Sequence, residues 1–385
     1  MSAMNYGAAV REQFLLEPGI AYLNHGAFGA TPREVMTAAE AWRQRLEAEP
    51  TRFMESESAP ALRQSRSEMA GFVGAGLGDL VLVENATTGC NAVLRSLPLK
   101  PGDQILVVDH GYPAVLKLLR HIAAWTGARL VEVVLPFPFE APEAIVDAVV
   151  SRITERTSLV VLDLITSQSA TILPVSPIAA AAKAAGAHVL IDAAHAPGHI
   201  ELDVPGLGAD WVTGNAHKWL FAPKGTAFLW AAPAAQAGLH PTVISHGYGQ
   251  GFVEEFAWIG TRDPCNWLAL PAAVAFYRRM GDRAIRTHTH ALVSEAAALL
   301  QRELGALPAA PPGMRGATAS LALPMAEPAG GRTAKALHDR LLERHRIEIP
   351  VFAFADRLWL RLSAQIYNEM ADYERLAAAL KQELA

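Results

Sequence analysis

Short β-branched or apolar runs recur between residues 80 and 230: Leu80–Val83, Gln104–Val108, Leu130–Val134, Leu159–Leu162, the runs ending at Asp192 and at Lys218, and Thr226–Trp230. Helix-like stretches lie between many of them, among them Ala114–Trp125, Pro142–Ile153 and Ile178–Ala185. Strand alternating with helix constrains the fold to a mainly parallel sheet covered on both faces. The expected architecture is therefore a three-layer α/β/α domain with a seven-stranded sheet. In such a sheet a ligand sits beyond the carboxyl ends of the strands.

The residues that follow each strand test that expectation. They are Glu84–Gly89, Asp109–Pro113, Thr166–Ser169, Asp192–His195 and His217–Lys218. Five strand ends carry polar, aromatic or titratable groups, whereas the strands are nearly all apolar. Asp192 and Lys218 are the most telling pair. A lysine flanked by His217 and Trp219 can lose its proton to desolvation and attack a carbonyl. An aspartate one strand away can hold a protonated pyridine nitrogen. Pyridoxal phosphate requires both.

The other strand ends have matching roles available. Asn85–Gly89 opens the helix-like stretch Cys90–Leu97, so its N–H groups with Thr87 and Thr88 could hold a phosphate; a simple threonine N-cap is the alternative. Tyr112, before Pro113, could lie on the pyridine face, or be an aromatic in a turn. His195 and Gln168 could hydrogen-bond the phenolic oxygen of the cofactor. In Arg357–Ser363, alternation puts leucines on one face and Arg357, Trp359, Arg361 and Ser363 on the other. Such a face could receive a carboxylate bidentately, unless this is a solvated edge strand.

Asp192-Ala-Ala-His-Ala-Pro-Gly198 with Asn215-Ala-His-Lys-Trp219 resembles the class V aminotransferases of fold type I, and within them the isopenicillin-N-epimerase-like branch. Tyr22–Pro32, Trp258–Pro264 and Arg361–Asn368 are similar to that branch too, so the resemblance covers nearly the whole chain. It implies that Lys218 carries the cofactor as a Schiff base and shuttles the Cα proton. Asp192 would pair with the ring nitrogen and Tyr112 would stack, with His110 competing for that role. Gln168 and His195 would contact the phenolic oxygen. Thr87, Thr88, Asn215 and His217 would bind phosphate, completed by Gly260 and Thr261 of a neighbouring subunit in a homodimer with a shared active site. Arg361 would clamp the substrate carboxylate, and His25 would contact substrate. The reaction would be epimerisation or C–S/β-lysis of an amino acid, with transamination next and cysteine desulfuration last. A catalytically silent, cofactor-bearing dimer is the non-enzymatic alternative. Epimerisation asks for a second acid opposite the lysine, with His25, Tyr112 and Tyr367 as candidates.

Composition bounds the rest. A chain of 385 residues that is 51% hydrophobic can build two domains. The expected division is an N-terminal segment 1–23 packing on the small domain or a partner, a large cofactor-binding domain 24–263, and a small α+β domain 264–385. A net charge of −5 without basic clusters argues against nucleic acid. Neither a leader nor a membrane-length apolar run is apparent, so cytoplasm is the default location. Cys90 and Cys265 give no disulfide framework, and neither sits where a persulfide-forming thiol would be needed. His288 and His290 do not share a helix face; His338 and His345 could, among Arg and Glu, so no metal site is expected. Gly74-Ala-Gly76-Leu-Gly78 precedes a strand, the wrong context for a dinucleotide loop.

Overall fold

The structure, a computed structural model, describes residues 6–324 and 330–384. Seven strands form the larger sheet: β1 (Leu80–Val83), β2 (Gln104–Val108), β3 (Arg129–Val133), β4 (Thr157–Asp163), β5 (His188–Asp192), β6 (Trp211–Asn215) and β7 (Ala227–Ala231). Their order is β1-β7-β6-β5-β4-β2-β3. β7 runs antiparallel to both of its neighbours and every other pair is parallel. The expected α/β fold with a mainly parallel sheet is the one observed.

Period-two alternation explains why the runs look continuously apolar. Leu106, Val108, Val160, Leu162, Val189 and Ile191 pack into the core on one face. Ile105, Val107, Leu159, Val161 and Leu190, one residue out of phase, pack on the other. β3 lies at the edge and ends one residue before the expected run, since Val134 turns out to solvent. Helices Ala86–Ser96, Pro113–Thr126, Pro142–Val150 and Val175–Ala184 connect the strands.

A second, antiparallel sheet is built from β8 (Thr318–Ala322), β9 (Val351–Phe354) and β10 (Arg357–Ser363), with Leu307–Pro308 at its margin. Helices Asp282–Leu304, Gly331–His345 and Met370–Leu384 supply Leu300, Leu337, Leu341, Leu376 and Leu380 to its core. β10 lies between β8 and β9 and is buried from Leu358 to Ser363, so it is an inner strand, not a solvated edge. Upstream, Ala21–Tyr22 pairs in parallel with Ile347–Glu348. Helix Leu270–Arg279 contributes Ala273, Val274, Phe276 and Tyr277 to the core of the larger sheet.

Candidate active site

A cavity of about 570 Å³ opens at the carboxyl ends of β1, β4, β5 and β6, and Asp192, His195, Asn215, His217 and Lys218 line it together. β5 and β6 are adjacent parallel strands, which is why two residues 26 positions apart in the chain share one hollow. The Lys218 amine lies 3.0 Å from His195 Nε2. Burial, reinforced by Arg361 and opposed by Asp192 and Asp163, lowers its pKa to about 8. Its free-amine form is therefore accessible near neutral pH.

His195 is neutral, its pKa pushed well down by burial and then by Lys218 and Arg361. The Trp219 indole, which can only donate, points its N–H at His195 Nδ1 (3.5 Å). That leaves Nε2 as the protonated nitrogen, facing the lysine. His199 stacks on Trp219 with ring centroids 4.1 Å apart. Its Nδ1–H donates to the His195 carbonyl (3.0 Å), and its Nε2 accepts from the Ala317 N–H (2.6 Å). The small sheet thus braces the loop that carries His195.

Asp192 is buried and accepts from the Ala194 N–H (2.9 Å). Burial raises its pKa, opposed by that bond and by Lys218. Beside it in register stands Asp163, also buried, on the neighbouring strand. Burial and Asp192 together push the Asp163 carboxyl well up, while the Tyr112 backbone N–H opposes the shift. A second buried carboxyl beside the first makes ionising both together unfavourable. Asp163 was not among the expected site residues.

Helix Ala86–Ser96 is capped by Asn85, whose Oδ1 accepts from the Thr88 N–H (2.8 Å), so the cap is asparagine and not threonine. Asn215 Oδ1 takes the Ala86 N–H (2.8 Å). The helix end packs tightly, because a Cβ on Gly89 would stand 2.3 Å from Thr213 Oγ1. Thr87 lines the cavity. Thr88 instead lines an adjacent polar hollow with Asn91, Arg95 and Thr242, its hydroxyl bonded to Asn85. His217 Nδ1 binds the Thr226 carbonyl (2.8 Å) and burial lowers its pKa to about 4. With Nδ1–H spent on that carbonyl, the neutral ring presents Nε2 as an acceptor, which meets a phosphate oxygen only when one of the two carries a further proton.

Tyr112 lines the cavity, half-exposed, at the head of helix Pro113–Thr126. His110 does not; it is buried among Phe137, Phe139 and Phe354 and bonds Ser169 (2.9 Å). Arg361 reaches the cavity from β10. Its Nη1 donates to the Ser167 carbonyl (2.5 Å), while Nε is buried with no partner. Burial lowers its pKa to about 10. A guanidinium with an unsatisfied N–H, on a side chain that lines the hollow, has donor chemistry suited to a carboxylate.

Two expectations, those for His25 and Gln168, need correction. His25 does not face the cavity: its Nε2–H donates to the Lys218 carbonyl (2.9 Å) and its Nδ1 accepts from Tyr367 Oη (2.8 Å). With both nitrogens engaged and a pKa near 3 from burial, it holds the lysine loop and has nothing left for substrate. Gln168 is also absent from the cavity wall, where Ser167 stands instead. Thr261 is exposed and, like Gly260, lines no part of the cavity of its own chain.

The donors present suit pyridoxal phosphate: an amine for the aldehyde, a buried carboxyl for the ring nitrogen, a neutral imidazole for the phenolic oxygen and a helix N-terminus for the phosphate. The aminotransferase class-V family model matches residues 21–340. The chain belongs to the class-V aminotransferase family. Its relatives include a putative L-cysteine desulfhydrase 1 of Oryza sativa subsp. japonica, 32% identical over 96% of this chain and 84% of that protein. An isopenicillin N epimerase of Amycolatopsis lactamdurans is 32% identical over 97% of this chain and 98% of the relative. Among solved structures, a cysteine desulfurase from Thermococcus onnurineus NA1 superposes with a TM-score of 0.83 at 21% identity, covering 100% of this chain and 99% of that one. At that identity the likeness speaks to the fold alone. Class-V membership carries with it pyridoxal 5′-phosphate as cofactor. Among the described residues no helix is long and apolar enough to cross a membrane.

Proposed function

We propose that this class-V protein is a pyridoxal-phosphate enzyme that removes the Cα proton of an amino acid and breaks a bond at Cβ, a C–S or related β-lyase. The observation that carries the reading is the Lys218 amine, with its pKa lowered to about 8, in one cavity with Asp192 and the unpaired Nε of Arg361. When bound, the cofactor supplies an electron sink that acidifies the Cα–H. Arg361 grips the α-carboxylate and so orients Cα–H toward the lysine. Lys218 Nζ accepts the proton and holds it. Asp192 would accept a hydrogen bond from the ring nitrogen of the bound cofactor, and His195 would donate from Nε2 beside the amine. The proton on Nζ is then available to the departing sulfur. Thr87, Asn215, His217 and the first helical turn provide the phosphate bay.

Epimerisation is the second reading, and Tyr112 is what favours it. A second acid must face Cα from the other side. His25 and Tyr367 bind each other away from the cavity, whereas Tyr112 lines it. A persulfide-forming desulfurase is disfavoured because neither Cys90 nor Cys265 lines the cavity. Homodimerisation fits the exposed Gly260–Thr261, which would complete the phosphate bay of a neighbouring copy. We also propose that the two domains meet within Asp282–Leu304 instead of at residue 263. Ile285 packs with the larger core, while Leu292 to Leu300 pack with the smaller.

The test is direct. The purified protein should be yellow, be bleached by borohydride with the cofactor fixed to Lys218, and be colourless as Lys218→Ala. Incubation of L-amino acids in D₂O should give pyruvate or another 2-oxo acid with release of the β-substituent; Cα exchange with D-isomer would favour epimerisation. A colourless wild type indifferent to pyridoxal phosphate would refute both readings.

A further inference from the structure

Of the cationic side chains that line the cavity, Lys218, Lys224 and Arg361, only Lys224 has no task in the reading above. Lys224 lies in the turn between the lysine loop and β7, bracketed by Phe221 and Gly225 at positive φ (64° and 83°). Its backbone carbonyl accepts from Asn266 Nδ2 (2.9 Å). The Nζ makes one long contact, 3.4 Å to Thr31 Oγ1. Among the described residues it forms no ion pair; the residue is exposed, and partial desolvation of its amine lowers its pKa. An unpaired ammonium at the junction of two hollows is placed to meet an anionic ligand.

The other charges of the cavity are committed. Glu84 is engaged by Arg262, which also stacks on Trp267. Asp163 and Asp192 stand side by side in register at the strand ends. Arg361 is tied to Ser167 and offers its remaining N–H. Lys224 and Phe28 line both this cavity and an adjoining groove of about 900 Å³, which runs along Leu15, Tyr22 and Met36. A substrate side chain leaving the cavity toward that groove passes Lys224.

We propose that Lys224 forms a second anion subsite, separate from Arg361, which receives a carboxylate or similar anionic group at the far end of the substrate side chain. The preferred substrates are then amino acids whose side chain is itself anionic. This rests on the reading above that the cavity accepts an α-amino acid beside Lys218. The cofactor phosphate is the other anion that could claim Lys224, and the experiment separates the two.

The holoenzyme is titrated with S-carboxymethyl-L-cysteine against its carboxamide, and with L-glutamate against L-glutamine, following the change in cofactor absorbance. In at least one pair the acid should bind roughly ten- to a hundred-fold more tightly than the amide, the usual worth of a charge-assisted hydrogen bond. Lys224→Met should abolish that preference while keeping the cofactor through dialysis, and Lys224→Arg should retain it. The proposal is overturned if the wild type distinguishes neither pair, or if Lys224→Met keeps the preference. It is equally overturned if Lys224→Met releases the cofactor, which would make the residue a phosphate ligand. A wild type that takes up no cofactor defeats the underlying reading first, and does so before any amino acid is added.

Discussion

Gly29 approaches the lysine loop more closely than any side chain permits. A Cβ built there would stand 2.2 Å from the Lys218 carbonyl oxygen and 2.7 Å from that of His217. Ordinary contact begins near 3.4 Å, so in Gly29→Ala one backbone must retreat from the other by about 1 Å. Neither can do so freely. The Lys218 carbonyl is held by His25, and Thr226 holds His217. Overpacking of this kind costs about 1–3 kcal/mol of stability. A displacement of about 1 Å at the base, passed to Nζ, costs on the order of a hundred-fold in turnover. The assay compares kcat, cofactor retention and thermal midpoint in Gly29→Ala and in Gly71→Ala. Gly71 lies in helix Ser58–Phe72 with no atom within 4 Å of its added Cβ, so its alanine should leave turnover intact and stabilise by about 1 kcal/mol. Wild-type kcat in Gly29→Ala at an unchanged melting point would refute the reasoning.

Three further outcomes follow from the same geometry. Arg361→Ala should raise KM for the substrate roughly ten- to a hundred-fold, the worth of a charge-assisted carboxylate bond, with borohydride trapping of cofactor on Lys218 unchanged; an unaltered KM would remove Arg361 from the carboxylate site. Only the free amine attacks an aldehyde, so the rate of pyridoxal-phosphate uptake by cofactor-free protein should climb as pH rises through about 8, the lowered lysine value. A midpoint near 10.5, ordinary for lysine, would mean that burial does not tune it. The double variant Cys90→Ala with Cys265→Ala should turn over substrate at close to the wild-type rate, since neither thiol reaches the cavity; loss of sulfur release at full cofactor occupancy would reinstate persulfide chemistry.

The strands and most of the cavity were legible because a parallel sheet collects its strand ends at one margin. Knowing that Asp192 and Lys218 each close an apolar run was enough to bring them together. Side-chain direction was less accessible. Thr87 and Thr88 are neighbours in sequence, but a helix turns successive residues onto different sides, and they face different hollows. Ser167 and Gln168 part in the same way after β4, and Tyr112 and His110 after β2. Asp163 had a readable signal as the acid ending the run Leu159–Leu162. Its meaning depended on β4 lying beside β5 in register, which requires the strand order. For His25 no local pattern sufficed, since a buried histidine that binds a backbone carbonyl is recognised only once the distant segments have met.

Arg361 lies on a strand of the small sheet and Lys218 just beyond a strand of the larger one, yet both reach the same hollow. On the reading proposed above, grasping the substrate and transforming it fall to different sheets of the chain. Changes on the strand Arg357–Ser363 and its neighbours can retune which molecules are admitted while the proton-handling apparatus on the larger sheet stays as it is. A lineage built on this plan can diversify its diet without reinventing its chemistry.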